Sequence, residues 1–160
     1  MSRLTRLISL TSREAEHLLG VRERLLENVQ AQDITEHWLD ERLADPLGID
    51  RLESFGAKFA RLQDTLVDKL IPALLEAAGE PPGAAIDNLA RMEKLGLVAN
   101  AEEWIAMRRL RNRLVHEYIE SPADMLPALQ AALAFTDILV STRAALAAWC
   151  EARSLTSPAR

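Results

Sequence analysis

The apolar residues Leu52, Phe55, Phe59, Leu62, Leu66, Leu70 and Leu74 recur at steps of three and four. Only an α-helix turns that spacing onto a single side, because its period of about 3.6 residues stacks such positions in one stripe. A second stripe, Leu18, Leu19, Leu25, Leu26 and Val29, has the same character. No stretch alternates apolar with polar residues as a half-buried strand would, so the chain reads as all-α. Composition agrees: 49% of residues are hydrophobic but only 4% aromatic, with Leu and Ala supplying the difference. These residues lose little rotamer freedom in a helix. A length of 160 residues suits a single domain, residues 1–160.

Capping and turn residues divide the chain. Thr11-Ser12-Arg13-Glu14 has the form of a capping box and predicts a helix over residues 11–32, with residues 1–10 frayed. A short helix is expected over 33–43, followed by a turn at Asp45-Pro46-Leu47-Gly48. Asp50, with Glu53 three residues on, repeats the cap pattern and opens the long apolar helix, which Pro72 should kink or divide. Gly79 to Gly83 marks the clearest break. A helix over 84–95 should stop at Gly96, a position suited to a left-handed cap. Asn100 caps the next helix, and Ser121-Pro122 opens the last, over about 123–153, ahead of a frayed tail at 154–160. About five helices with short connections predict an antiparallel helical bundle.

Charge and cysteine content narrow the function classes. The net charge of −5 excludes a generally basic nucleic-acid coat, so any nucleic-acid contact must come from a local patch. The single cysteine, Cys150, makes no internal disulfide and fits a reducing cytoplasm, packed as a small hydrophobe. No run approaches the ~20 apolar residues that span a bilayer, so no membrane role is expected. No glycine-rich phosphate loop or Ser/Cys nucleophile pattern is present. Glu14 and His17 form one Glu-x-x-His unit, but a di-metal bundle needs a second copy and two more Glu. No metal and no cofactor are therefore expected, and His17 and His37 read as ordinary polar-face residues.

The unusual passage is Arg108 to Tyr118. Four arginines, Arg108, Arg109, Arg111 and Arg113, fall within six residues of an acidic chain. Salt bridges to Glu102, Glu103, Glu117 and Glu120 would account for a solvated face. Arg111 does not fit that account. At roughly 100° per residue it lies within about 20° of both Trp104 and Tyr118, on the side that also carries Met107, Leu114 and Val115. A guanidinium there costs several kcal/mol unless it is paired or faces a polar cleft. Asn112 and His116, four apart, share a second face with Arg109 beside them. An arginine can neutralise a phosphodiester's non-bridging oxygens while a histidine, titrating near neutrality, moves the proton. One helix holds one such set, so a two-fold homodimer would be needed to supply the second.

These residues resemble a known family. Arg111-Asn112-Arg113-Leu114-Val115-His116-Glu117-Tyr118 is similar to the Arg-x-x-x-x-His-x-Tyr motif of HepT-like toxins, a branch of the HEPN superfamily. The segment from Phe55 to Leu66 also resembles the first core helix of that group. The resemblance implies a HEPN-like helical bundle and a dimeric, metal-independent endoribonuclease. It assigns phosphate binding to Arg111 and acid–base chemistry to His116, with Asn112 supporting both. Arg108, Arg109 and Arg113 are candidate RNA contacts, and no DNA is expected. It also implies a partner, an MNT-type nucleotidyltransferase antitoxin that silences the ribonuclease by attaching AMP to Tyr118. The alternative is a non-catalytic helical subunit that binds a nucleotidyltransferase or its substrate.

Overall fold

The computed structural model describes residues 1–116 and 122–157, with the backbone alone for 115, 116 and 122. Six helices account for most of these residues, and no strand occurs among them. They are α1 (Arg3–Leu26), α2 (Glu36–Leu43), α3 (residues 46–77), α4 (Ala85–Lys94), α5 (Ala101–His116) and α6 (Pro122–Ala152). A single 3₁₀ turn, Ala31–Asp33, lies between α1 and α2.

The first helix begins eight residues earlier than the Thr11 capping box suggests, at Arg3, where the Ser2 hydroxyl accepts from the Thr5 N–H at 3.1 Å. The apolar stripe explains the difference. Leu4 and Leu7 continue it towards the N-terminus and are buried, which outweighs a local cap at Thr11. Thr11 is itself buried within the helix, its hydroxyl donating to the Ile8 carbonyl at 3.1 Å. The helix ends at Leu26 rather than near Gln32, because Glu27 and Asn28 take positive φ values of 48° and 74°. Nor is the far end frayed through residue 157: Leu155 packs against the core, and the Thr5 hydroxyl donates to the Thr156 carbonyl at 3.3 Å.

The central element is α3. It starts at Pro46, so the expected turn at 45–48 is instead a helix N-terminus, with the Asp45 carboxylate accepting from the Leu47 N–H at 3.2 Å. Asp50 then lies inside the helix. Residues Pro46–Thr65 are α-helical, Leu66–Leu70 form a π turn, and Ile71–Ala77 return to α. Pro72 explains the π turn. Proline has no N–H, and in an α-helix its ring meets the carbonyl four residues back, here that of Asp68. The wider turn, closed by the Ile71 N–H on the Leu66 carbonyl, relieves that clash while the backbone stays right-handed helical. The apolar stripe therefore continues unbroken, with Leu52, Phe55, Phe59, Leu62, Leu66, Leu70 and Leu74 all buried.

Each of the other five helices packs on α3. An aromatic chain joins two of them, α5 and α6, to α3. Phe55 and Phe59 lie 5.9 Å apart, Phe59 meets Phe135 of α6 edge-on at 6.4 Å, and Phe135 meets Trp104 of α5 at 5.3 Å. By length and composition α6 also suffices to cross a membrane, contrary to the expectation from sequence. Its Leu129, Leu133, Phe135, Leu139, Leu146 and Cys150 are nonetheless buried in this core. Asp137 on the same helix pairs with Arg22 of α1 at 2.8 Å.

The α2–α3 corner sets a strict steric limit. A Cβ on Gly48 would sit 2.2 Å from the Arg42 carbonyl oxygen, whereas one on Gly56 meets nothing within 4 Å. Gly48→Ala should lower unfolding free energy by about 1–3 kcal/mol through overpacking. Gly56→Ala should raise it by about 0.5–1 kcal/mol, as helix propensity alone requires. Urea denaturation of both variants checks this; shifts of the same sign would contradict the close α2–α3 approach.

Candidate functional site

The motif helix α5 is built from its N-terminus. The Asn100 side chain accepts from the Glu103 N–H at 3.2 Å, as its place before the helix predicts. Glu93, at the end of α4, adds a second cap by accepting the Ala101 N–H at 2.7 Å. With Glu102 and Glu103 in the first turn, three carboxylates face the positive end of the helix dipole. One turn on, Trp104 is buried against Phe135 and fixes the rotation of the helix. That rotation decides where the arginines point.

Arg111 follows Trp104 by two turns and is aimed at α3, as the helical wheel requires. There it meets a partner that the sequence did not identify. Its Nη1 donates to Asp64 Oδ1 in a short charge-assisted contact and to the Ala60 carbonyl at 3.3 Å. One turn before it, Arg108 Nη2 donates to Asp68 Oδ2 at 2.9 Å and lies 3.6 Å from Asp64 Oδ1. Asp64 and Asp68 are four residues apart on α3, and Arg108 and Arg111 three apart on α5, so the two helices join through a quartet of alternating charge. The arginines are the better-covered members, with side chains 26% and 17% exposed against 44% and 45% for the carboxylates. The Arg111 partner is thus inter-helical, and neither Arg108 nor Arg111 pairs with Glu102 or Glu103 of its own helix.

The remaining candidates lie elsewhere. Arg109, Asn112 and Arg113 are exposed, with Arg109 and Asn112 on the second face expected for them. Asn112 is therefore turned about 100° from Arg111 and does not share its surroundings. His116 closes α5, and its side chain is outside the described set; Tyr118 lies outside the described residues altogether. The structure brings Arg111 and Arg108 together and leaves Asn112, Arg109 and Arg113 on open surface.

Three residues of this junction went unread in the sequence: Asp64, Asp68 and Gln63. Gln63 is fully buried, its amide donating to the Trp104 carbonyl at 3.4 Å while its Oε1 has no partner among the described residues. The signal lay in Arg111 rather than in Asp64: an arginine on an apolar face demands a carboxylate from whatever packs opposite, without marking which one.

No group of three or more metal-ligating side chains occurs among the described residues. His17 is exposed, and His37 makes a 2.8 Å contact to Glu41. Cys150 is buried as expected, and burial pushes its thiol up to about 11. Glu14 points at α3, where Oε1 accepts from the Thr65 hydroxyl at 3.2 Å and Oε2 is buried without a partner among the described residues. No family model, curated protein or solved structure matches the chain.

Burial raises the Glu14 carboxyl above its ordinary 4.5, against the opposing pull of Thr65, Arg61, Lys69 and His17. The folded state therefore favours the protonated acid. The destabilisation from Glu14 is absent below that ordinary value, grows as pH rises through the raised one, and is constant above it. Glu14→Gln should melt higher than the parent at pH 7, with the difference shrinking as pH falls towards 4. A difference independent of pH would contradict the burial of this carboxylate.

Proposed function

We propose that the chain is a metal-independent endoribonuclease of HEPN-like fold, active as a homodimer and serving as the toxin of a toxin–antitoxin pair. The observation that carries the reading is the Arg111–His116–Tyr118 spacing in the sequence, with Arg111 on a helix that holds it at a polar junction rather than splayed into solvent. In this reading Arg111 binds the scissile phosphate. His116 takes the proton from the ribose 2′-hydroxyl as its oxygen bonds to phosphorus, and a histidine returns a proton to the leaving 5′-oxygen. One chain offers one histidine of this kind, so two α5 helices meeting across a two-fold axis supply the acid and the base together. Asn112, Arg109 and Arg113, exposed on α5, supply the nearby RNA contacts. The charge of Arg109 and Arg113 matters because the Arg108, Arg111, Asp64 and Asp68 quartet is neutral overall. The antitoxin is an MNT-type nucleotidyltransferase that transfers AMP to Tyr118, placing bulk and negative charge near the phosphate site. The pair belongs in the reducing cytoplasm, consistent with a single unbridged cysteine.

A second reading has one observation in its favour. Asp64 gives Arg111 a purely structural reason to be where it is, so the same helix serves equally in a non-catalytic subunit that binds a nucleotidyltransferase. Expression without the partner separates the two, since only the ribonuclease inhibits growth.

Arg111→Ala and His116→Ala should each reduce RNA cleavage by ~10²-fold or more and abolish growth inhibition. Cleavage by the purified parent should be indifferent to EDTA, and a requirement for divalent metal would overturn the mechanism. Co-expression with the nucleotidyltransferase should add AMP units to a Tyr118 peptide in mass spectrometry. Tyr118→Phe should still cut RNA but resist the partner. An unmodified Tyr118 in a fully neutralised complex would mean control by binding alone.

A further inference from the structure

We propose that Asp64 is a positioning residue for Arg111, holding one end of its guanidinium so that the opposite edge forms a two-pronged seat for a phosphodiester. This inference rests on the ribonuclease reading and adds a residue to it from another helix.

An arginine side chain carries five N–H groups in a fixed planar fork. Nη1 carries two of them, and both are engaged, one by Asp64 Oδ1 and one by the Ala60 carbonyl at 3.3 Å. Both acceptors belong to α3 and lie one turn apart, so they fix the guanidinium in position and in plane. Nε and Nη2, which share the opposite edge, have no partner among the described residues. That edge presents parallel N–H bonds with the spacing of two phosphate oxygens.

The geometry separates a brace from a block. A carboxylate that occupied the phosphate seat would take both prongs of an edge, as bidentate Arg–carboxylate pairs do. Asp64 meets a single nitrogen, and its other contact is with Arg108 Nη2 at 3.6 Å. Arg108 is held in turn by Asp68, so Asp64 is braced from both sides. It also stays 44% exposed, which spares it most of the desolvation that a buried carboxylate suffers. Rigid α3 and α5, joined through Phe59, Phe135 and Trp104, carry this arrangement.

Steady-state cleavage of a short RNA by the full-length protein tests the inference, with parent, His116→Ala, Asp64→Ala and Asp64→Asn compared alongside their melting temperatures. Charge on the phosphoryl oxygens is greatest in the transition state, so a misplaced Arg111 acts on kcat more than on KM. Asp64→Ala should lower kcat by about 10²-fold, the scale of a 1 Å misplacement. Asp64→Asn keeps an acceptor oxygen without the charge and should recover only in part, to about tenfold below the parent. A role in folding alone would lower the melting temperature and leave kcat of the folded fraction unchanged, which overturns the inference. So does a faster Asp64→Ala, which would make Asp64 a competitor of phosphate. If Asp64→Ala does not fold, Asp64→Asn decides, and parental kcat in it counts against the proposal. In both cases the parent cuts and His116→Ala does not, so the ribonuclease reading survives. A parent that cuts no better than His116→Ala removes that reading and this inference with it.

Discussion

The structure depends on one long apolar stripe that must remain on one side for about six turns. Burial of α3 from Leu52 to Leu74 gives every other helix its packing surface, and at roughly 25 cal/mol per Å² such a seam dominates the favourable side of folding. Pro72 threatens it, since a proline well inside a helix ordinarily kinks or ends the run. The π turn at Leu66–Leu70 is the chain's answer. It keeps the helix continuous, and it begins two residues after Asp64 and includes Asp68, the two carboxylates that receive the motif arginines. The irregularity in the scaffold and the polar junction of the candidate site are neighbours on the same element.

The second constraint is electrostatic. Trp104 sets the rotation of α5, and two turns later the same face delivers Arg111 to α3. A guanidinium in that position must be neutralised, and Asp64 does so with one oxygen against one nitrogen. The consequence is twofold. The quartet stabilises the α3–α5 contact without making the surface basic, and it leaves half of the Arg111 fork uncommitted among the described residues. The proposed phosphate site would rely on orientation rather than on bulk positive charge, which suits a chain of net charge −5.

The fold class was legible because the dominant signal, three-and-four spacing, is local and repeated. The Asn100 cap and the Gly96 stop were legible for the same reason. Boundaries decided by tertiary burial were not. Thr11 has every local mark of an N-cap, yet Leu4 and Leu7 gain more from joining the core. Asp45-Pro46 combines turn and helix-start signals, and the packing of α2 against Gly48 selects the latter. At the candidate site, the inward aim of Arg111 followed from helical geometry alone. Its partner did not, because Asp64 is 47 residues away and nothing local marks it. Ion pairs between helices depend on their relative rotation, which a one-dimensional pattern does not contain. Asn112, grouped with Arg111 by adjacency in sequence, is separated from it by that same rotation.

In the proposed site, Arg111 is oriented through Nη1 and receives phosphate through Nε and Nη2. The most direct measurement is a ¹H–¹⁵N spectrum of the arginine Nε–H groups, assigned by substitution and titrated with an RNA oligonucleotide made uncleavable by 2′-deoxy substitution. The account predicts a saturable shift of the Arg111 Nε–H resonance, while that of Arg22, committed to Asp137 on α1 and α6, stays in place. An Arg111 resonance that is visible in the free protein and unmoved at saturating oligonucleotide would contradict it.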